Sequence, residues 1–233
     1  MTRTRSGLFF QGLRDGMPIG IGYFSVSFSF GIAGMNSGLT WWQALVISML
    51  NMTSAGQFAG IGIIAAGGSY VEMAVSQFVI NLRYSLMGIV LSQKMDRRFH
   101  TGYKLLLGHA DTDEIFAVSV CQEEPVRPVY FLGLSLLPYI GWALGTLVGA
   151  VSGNILPQKL AAALGVAIYG MFIAIIVPNM KKNIKILVTV LIAVAASCCL
   201  YYIPVFHGIS SGFAVIICAV LASLAGAVFF PVE

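Results

Sequence analysis

Arg83, Asn81, Gln57 and Asn51, followed by His109, Asp111, Asp113 and Glu114, are the side chains of this sequence that could do polar chemistry within apolar surroundings. A guanidinium stays charged at any ordinary pH, and Arg83 stands inside the apolar stretch 71–92. At membrane depth such a group faces a bundle interior or a water-filled cavity and marks a substrate or ion route. The plainer alternative is a structural ion pair joining two helices. The other residues form two islands of similar form. Ser54-x-x-Gln57 and Asp111-x-x-Glu114 both have the pattern of a helix-starting cap, whose side-chain oxygen takes an amide three residues on. Each island would then begin a half-helix. Two half-helix amino termini inside a bundle concentrate N–H donors and positive dipole, a setting that holds anionic groups.

On that reading the amides of Ser54, Ala55 and Gly56 receive a carboxylate beside Gln57, while Asn51, Asn81 and Arg83 supply further contacts. The alternative is that 51–57 is an ordinary loop between two helices. His109, Asp111, Asp113 and Glu114 would contact an ammonium or relay a proton, since burial tunes carboxylates and histidines toward neutral pH. His109 and Asp113, four apart, share a face if the segment is helical there; the alternative is a solvated cytoplasmic turn.

The elements that must position these groups follow from composition. Of 233 residues 58% are hydrophobic and 9% charged, and the runs 16–71, 128–158, 160–180 and 186–232 contain no Asp, Glu, Lys or Arg. Each exceeds the roughly 20 residues an apolar helix needs to cross hydrocarbon, so this is an integral membrane protein. Alternating ten-residue strands are absent, which leaves helices to satisfy the backbone in lipid. The expected fold is all-α: one membrane helix bundle over 1–233 with about six full spans, 18–34, 71–92, 129–152, 160–177, 186–203 and 211–230. Two segments, 41–66 and 103–120, are broken by their polar islands and read as re-entrant. The basic opening 1–15 lacks the short apolar core and cleavage site of a removable signal, so the first span is expected to stay.

Lys and Arg collect in short cytoplasmic loops. With both broken segments re-entrant, the amino terminus, Lys94 to Lys104, Arg127 and Lys181 to Lys185 all face the cytoplasm, and so do both termini. The Gly-rich first span could be the re-entrant piece instead. The net charge of +4 lies in loops, which suits topology and anionic lipid rather than nucleic acid. Cys121, Cys198, Cys199 and Cys218 have no metal spacing, and no cofactor motif is present. Gly208-Ile209-Ser210-Ser211-Gly212 and Gly60-x-Gly62-x-x-Ala65 mimic catalytic and dinucleotide patterns without the strand contexts those need. Glu72 reads as a solvated residue at a membrane boundary. Gly133, Gly141, Gly145, Gly149 and Gly153 recur at multiples of four, the stripe that lets helix backbones approach closely, within the chain or against a partner subunit.

The stretch 12–18 (Gly-Leu-Arg-Asp-Gly-Met-Pro), the stretch 48–58, Asn81-Leu82-Arg83-Tyr84 and the cluster 109–116 together resemble the AzlC family, the large subunit of bacterial branched-chain amino-acid exporters. The resemblance is clearest over roughly the first 120 residues; Thr53-Ser54-Ala55-Gly56-Gln57-Phe58 departs from the Ala-Gly-Ala-Ala-Gln-Phe type run of relatives. It implies secondary transport, export of leucine, isoleucine and valine with methionine as a further candidate, residence in the bacterial inner membrane, and a small membrane partner of the AzlD type. Proton-gradient drive is the expected coupling, since no ATP-binding motif is present. Phe58, Phe78 and Met87 are candidate walls for the substrate side chain. A channel, or a scaffold that only stabilises its partner, is the rival expectation; an enzyme is not expected, because no nucleophile and base stand at a suitable spacing.

Overall fold

The computed structural model describes residues 4–152, 173, 176, 177, 180–206 and 208–230. Among them the regular elements are helices: α1 (Arg5–Asn36), α2 (Trp41–Leu50), α3 (Ser54–Ala65), α4 (Tyr70–Lys94), α5 (Thr101–Gly108), α6 (Asp113–Val120), α7 (Pro128–Ser152), α8 (Ile184–Tyr202) and α9 (Ser211–Phe229), with a short 3₁₀ turn at Pro204–Phe206. Five of these, α1, α4, α7, α8 and α9, are long and apolar enough to cross a bilayer. The sixth expected span, 160–177, lies largely outside the described residues. α1 runs unbroken through Pro18, so the interrupted segments are the two that carry the polar islands.

α1 and α7 form the centre of the bundle, and glycine explains how. Gly12, Gly16, Gly20 and Gly31 of α1 lie against the backbone at Tyr130, Leu134, Leu137 and Thr146, while Gly133, Gly141, Gly145 and Gly149 of α7 lie against Phe9, Gly20, Phe24 and Phe28. A side chain on either helix would meet the other's main chain, and apolar surface gains nothing by leaving lipid for protein. Close backbone approach and dispersion therefore hold this seam. Pro138 withholds the N–H that would have bonded Leu134 O, and Gly16 packs against that carbonyl. Gly153, the last position of the stripe, lies outside the described residues.

Three layers of core then fix the course of the broken segments. Near the start of α1, Leu8 clusters with Leu91, Phe99, Leu107, Ile115 and Phe131; further along, Tyr23 clusters with Met52, Ala110 and Trp142; near its end, Phe30 clusters with Ala44 and Ile61. Ala44 of α2 and Ile61 of α3 thus share the layer at the end of α1, while Met52 between them lies a layer deeper. Leu107 of α5 and Ile115 of α6 share the opposite layer, and Ala110 between them reaches the middle one. Each broken segment is a helical hairpin that enters and returns on one side, and the two tips meet around Tyr23 and Trp142, whose rings stand edge to face at 5.1 Å. This is the bundle with two re-entrant elements that composition and charge placement led us to expect.

Glu72 corrects an expectation. It is 5% exposed, and its Oε1 accepts from the Ser210 hydroxyl and from the Gly212 amide at 3.0 Å. The carboxylate thus supplies the first turn of α9 with the acceptor its orphan donors need, and ties α4 to the carboxy-terminal hairpin.

Candidate functional site

The two hairpin tips and one face of α4 border a cavity of about 350 Å³. Its polar lining comes from Asn51 and Thr53 at the first tip, from His109, Asp111 and Thr112 at the second, from Asn81, Tyr84 and Ser92 of α4, and from Lys104 of α5. Leu50, Leu91, Met95, Phe99, Leu107 and Phe131 supply the apolar lining. A concave site of this size with a few convergent polar groups in an apolar frame fits a small amphipathic ligand.

At the first tip, Thr53 caps α3: its side chain accepts from the Gly56 amide at 3.3 Å. The cap is one residue earlier than the Ser54 expected from sequence, because Thr53 takes the extended backbone and Ser54 already belongs to the helix. Gln57 does not reach back to close a capping box. Its Nε2 donates to Asn51 O at 2.6 Å, to Ser48 Oγ at 3.3 Å and to Ile47 O at 3.4 Å, stitching the end of α2 to the start of α3. Ser48 Oγ is also 2.6 Å from Thr146 Oγ1, which fastens the tip to α7. Ser54 and Ala55 flank the cap, half-buried; Gly56 is buried, its amide committed to Thr53.

At the second tip Thr112, not Asp111, is the cap position of α6, and it makes no side-chain cap bond. Instead Tyr23 Oη donates its one proton to the Glu114 carboxylate and accepts from the Thr112 hydroxyl, 2.6 Å away. Asp111 is 92% buried and lines the cavity, and its Oδ1 has no hydrogen-bond partner among the described residues. His109 ends α5 and packs edge-on against Tyr139 at 5.7 Å; with the helix interrupted between them, His109 and Asp113 do not share a helical face.

Arg83 serves the second tip rather than the first. Its Nη1 lies 2.7 Å from Asp113 Oδ2, joining α4 to α6, with Nη2 3.3 Å from Tyr84 Oη and the guanidinium 5.0 Å from the Tyr84 ring centre. The helix-joining ion pair is the alternative realised here. Its value lies in mutual neutralisation near the middle of a spanning helix, where an unpaired charge is costly. Asp113→Asn, which strands the guanidinium, is therefore expected to lower the yield and thermal midpoint of purified protein more than the double variant Arg83→Gln/Asp113→Asn. A double-mutant cycle showing no coupling would contradict this.

Of the residues singled out from sequence, Asn51, Asn81, His109 and Asp111 come together in the cavity wall; Ser54, Ala55, Gly56, Gln57, Arg83, Asp113 and Glu114 build the tips behind it. Phe58 packs on Phe30 at 5.5 Å, and Phe78 is exposed, so neither wall candidate lines the cavity; nor does Met87. Sequence reasoning missed Thr53, Thr112, Tyr23, Tyr84 and Gln77. A signal existed for two of them: Gln77, Asn81, Tyr84 and Gly88 recur at four, three and four residues, one stripe down α4.

The family model described as AzlC protein matches residues 18–156, well over half of the chain. The chain belongs to the AzlC family. The matched part of this AzlC protein holds both hairpins and every residue lining the cavity. It is 32% identical over 180 residues to an uncharacterized membrane protein of Archaeoglobus fulgidus, spanning 76% of this chain and 78% of the relative. It is 27% identical over 227 residues to the inner membrane protein YgaZ of Escherichia coli K12, spanning 94% and 91%. An uncharacterized membrane protein of Helicobacter pylori is 29% identical over 154 residues, spanning 63% of this chain and 66% of the relative. No solved structure matches the chain.

Proposed function

We propose that this AzlC protein is a secondary transporter of the bacterial inner membrane that exports branched-chain and other hydrophobic amino acids. The observation that carries this reading is the meeting of two helix breaks on one amphipathic cavity. Discontinuous helices in transporters turn their positive amino ends toward an anionic group and line the site with unwound backbone. Here the substrate carboxylate sits at the amino end of α3, at Thr53 and the Ser54 and Ala55 amides, with Lys104 as the cation of the lining. The ammonium meets Asp111, a buried carboxylate whose Oδ1 awaits a donor. Leu91, Phe99 and Phe131 receive the side chain.

Proton coupling falls to Asp111, with His109 beside it in the same wall and the Asp113 and Glu114 carboxylates held by Arg83 and Tyr23. A small AzlD-type membrane subunit completes the transporter. Reconstitution into proteoliposomes with and without that subunit tests this reading. In inside-out vesicles an acidic interior should drive labelled leucine inward; leucine flux indifferent to the gradient and to the partner would instead favour a channel.

A further inference from the structure

Gln77 belongs to no expected site and does not line the cavity, yet it bonds to the first hairpin tip and to Asn81 of its own helix, both of which do. Its Nε2 donates to Gly56 O at 2.8 Å, and its Oε1 accepts from Asn81 Nδ2 at 3.2 Å, with Asn51 Nδ2 at the longer distance of 3.5 Å. These contacts fix polarity as well as position. A backbone carbonyl only accepts, so the Gln77 amide must turn its NH₂ toward Gly56 and its oxygen toward α4 and Asn51. That oxygen only accepts too, so Asn81 must turn its own NH₂ toward Gln77. The Asn81 carbonyl Oδ1 is left on the far side, buried and without a partner among the described residues. Asn81 lines the cavity, and so does Asp111, whose Oδ1 also has no partner. Two unpartnered acceptors in one wall require a donor, since a buried acceptor without one costs free energy.

We propose that Gln77 is a positioning residue that, through the Gly56 carbonyl, locks Asn81 with its oxygen toward the cavity and so gives α4 a subsite for an alkylammonium group. This rests on the reading of the cavity as a substrate site and deepens it: Asn81 serves the ammonium of the ligand. Among the described residues Gln77 alone is hydrogen-bonded to the Asn81 side chain, so its loss permits a flip of the Asn81 amide, which would offer NH₂ where the ammonium should lie.

Equilibrium binding to the purified protein with three probes tests this: leucine, 3-methylbutylamine, which keeps the ammonium alone, and 4-methylpentanoate, which keeps the carboxylate alone. Gln77→Leu is expected to weaken leucine and the amine by about tenfold or more, the scale of one lost hydrogen bond to a charged group, with the carboxylate probe within about threefold. Equal loss of all three probes in Gln77→Leu would mark Gln77 as merely structural and overturn the proposal, as would unchanged binding. Should Gln77→Leu fail to fold, Gln77→Met decides by the same comparison, and failure of both to fold would mark the residue as structural. Wild-type protein that binds the amine but not leucine would sink the amino-acid reading while leaving the Gln77 subsite standing. Wild-type protein that binds neither would remove both.

Discussion

Asp111→Asn is expected to cut leucine transport by about 10- to 100-fold and to flatten its dependence on pH. Asp111 combines three properties that no other lining residue holds together: it is 92% buried, it faces the cavity, and its Oδ1 has no partner among the described residues. Such a group stabilises a ligand ammonium through a charge-assisted hydrogen bond, which contributes about 1.5–3 kcal/mol, or roughly one to two decades of affinity. The asparagine variant keeps shape and one acceptor but loses the charge and the titration, so both readouts should change together. Asp113 and Glu114 differ because Arg83 and Tyr23 already hold them. Glu114→Gln should therefore keep a pH profile close to wild type. The comparison is made as initial flux in proteoliposomes between pH 5.5 and 8.5, and an Asp111→Asn protein with wild-type flux and profile would remove Asp111 from the path.

The largest effect on stability is expected at the seam between α1 and α7. A side chain on Gly145 would run into Phe24 O and Ser27 Oγ, and one on Gly149 into the main chain of Phe28. A backbone carbonyl in a helix cannot swing aside as a flexible side chain can. Gly145→Leu must therefore push the two helices apart, at a cost of about 3 kcal/mol or more, at or above the top of the usual range for overpacking. Gly22 and Gly62 are the control, since a methyl group placed on either meets nothing within 4 Å among the described residues. Gly22→Ala and Gly62→Ala should leave the thermal midpoint unchanged or raise it, consistent with a gain of about 0.5–1 kcal/mol when alanine replaces glycine in a helix. Size-exclusion profiles after graded heating distinguish the outcomes. Gly145→Leu protein with a wild-type midpoint would show that the seam is not tightly packed.

Much of this arrangement was legible in the sequence because lipid imposes simple rules. Long uncharged runs give spanning helices, and glycine spaced by fours gives a close helix contact, whatever the partner. The islands 51–57 and 109–114 were visible as interruptions because polar residues in an apolar run need a reason. Local pattern alone did not settle where each half-helix starts. Thr53, Ser54, Asp111 and Thr112 are all good caps, and only the backbone angles decide among them. The role of Arg83 was hidden for another reason. At about 100° per residue, it lies roughly 200° around α4 from Asn81, so the two cannot serve the same wall. Glu72 resembled a boundary residue because its partners, Ser210 and Gly212, are some 140 positions away in the sequence.

Substrate protection of cysteines placed one at each tip tests most directly whether both breaks face one bound amino acid. With Cys121, Cys198, Cys199 and Cys218 replaced by serine, Asn51→Cys and Thr112→Cys proteins are reacted with a small thiol reagent with and without leucine. The expected result is that leucine slows labelling at both positions, at the same half-saturating concentration, while alanine protects poorly. Protection at one tip only, or at neither, in protein that still transports leucine would contradict a shared site.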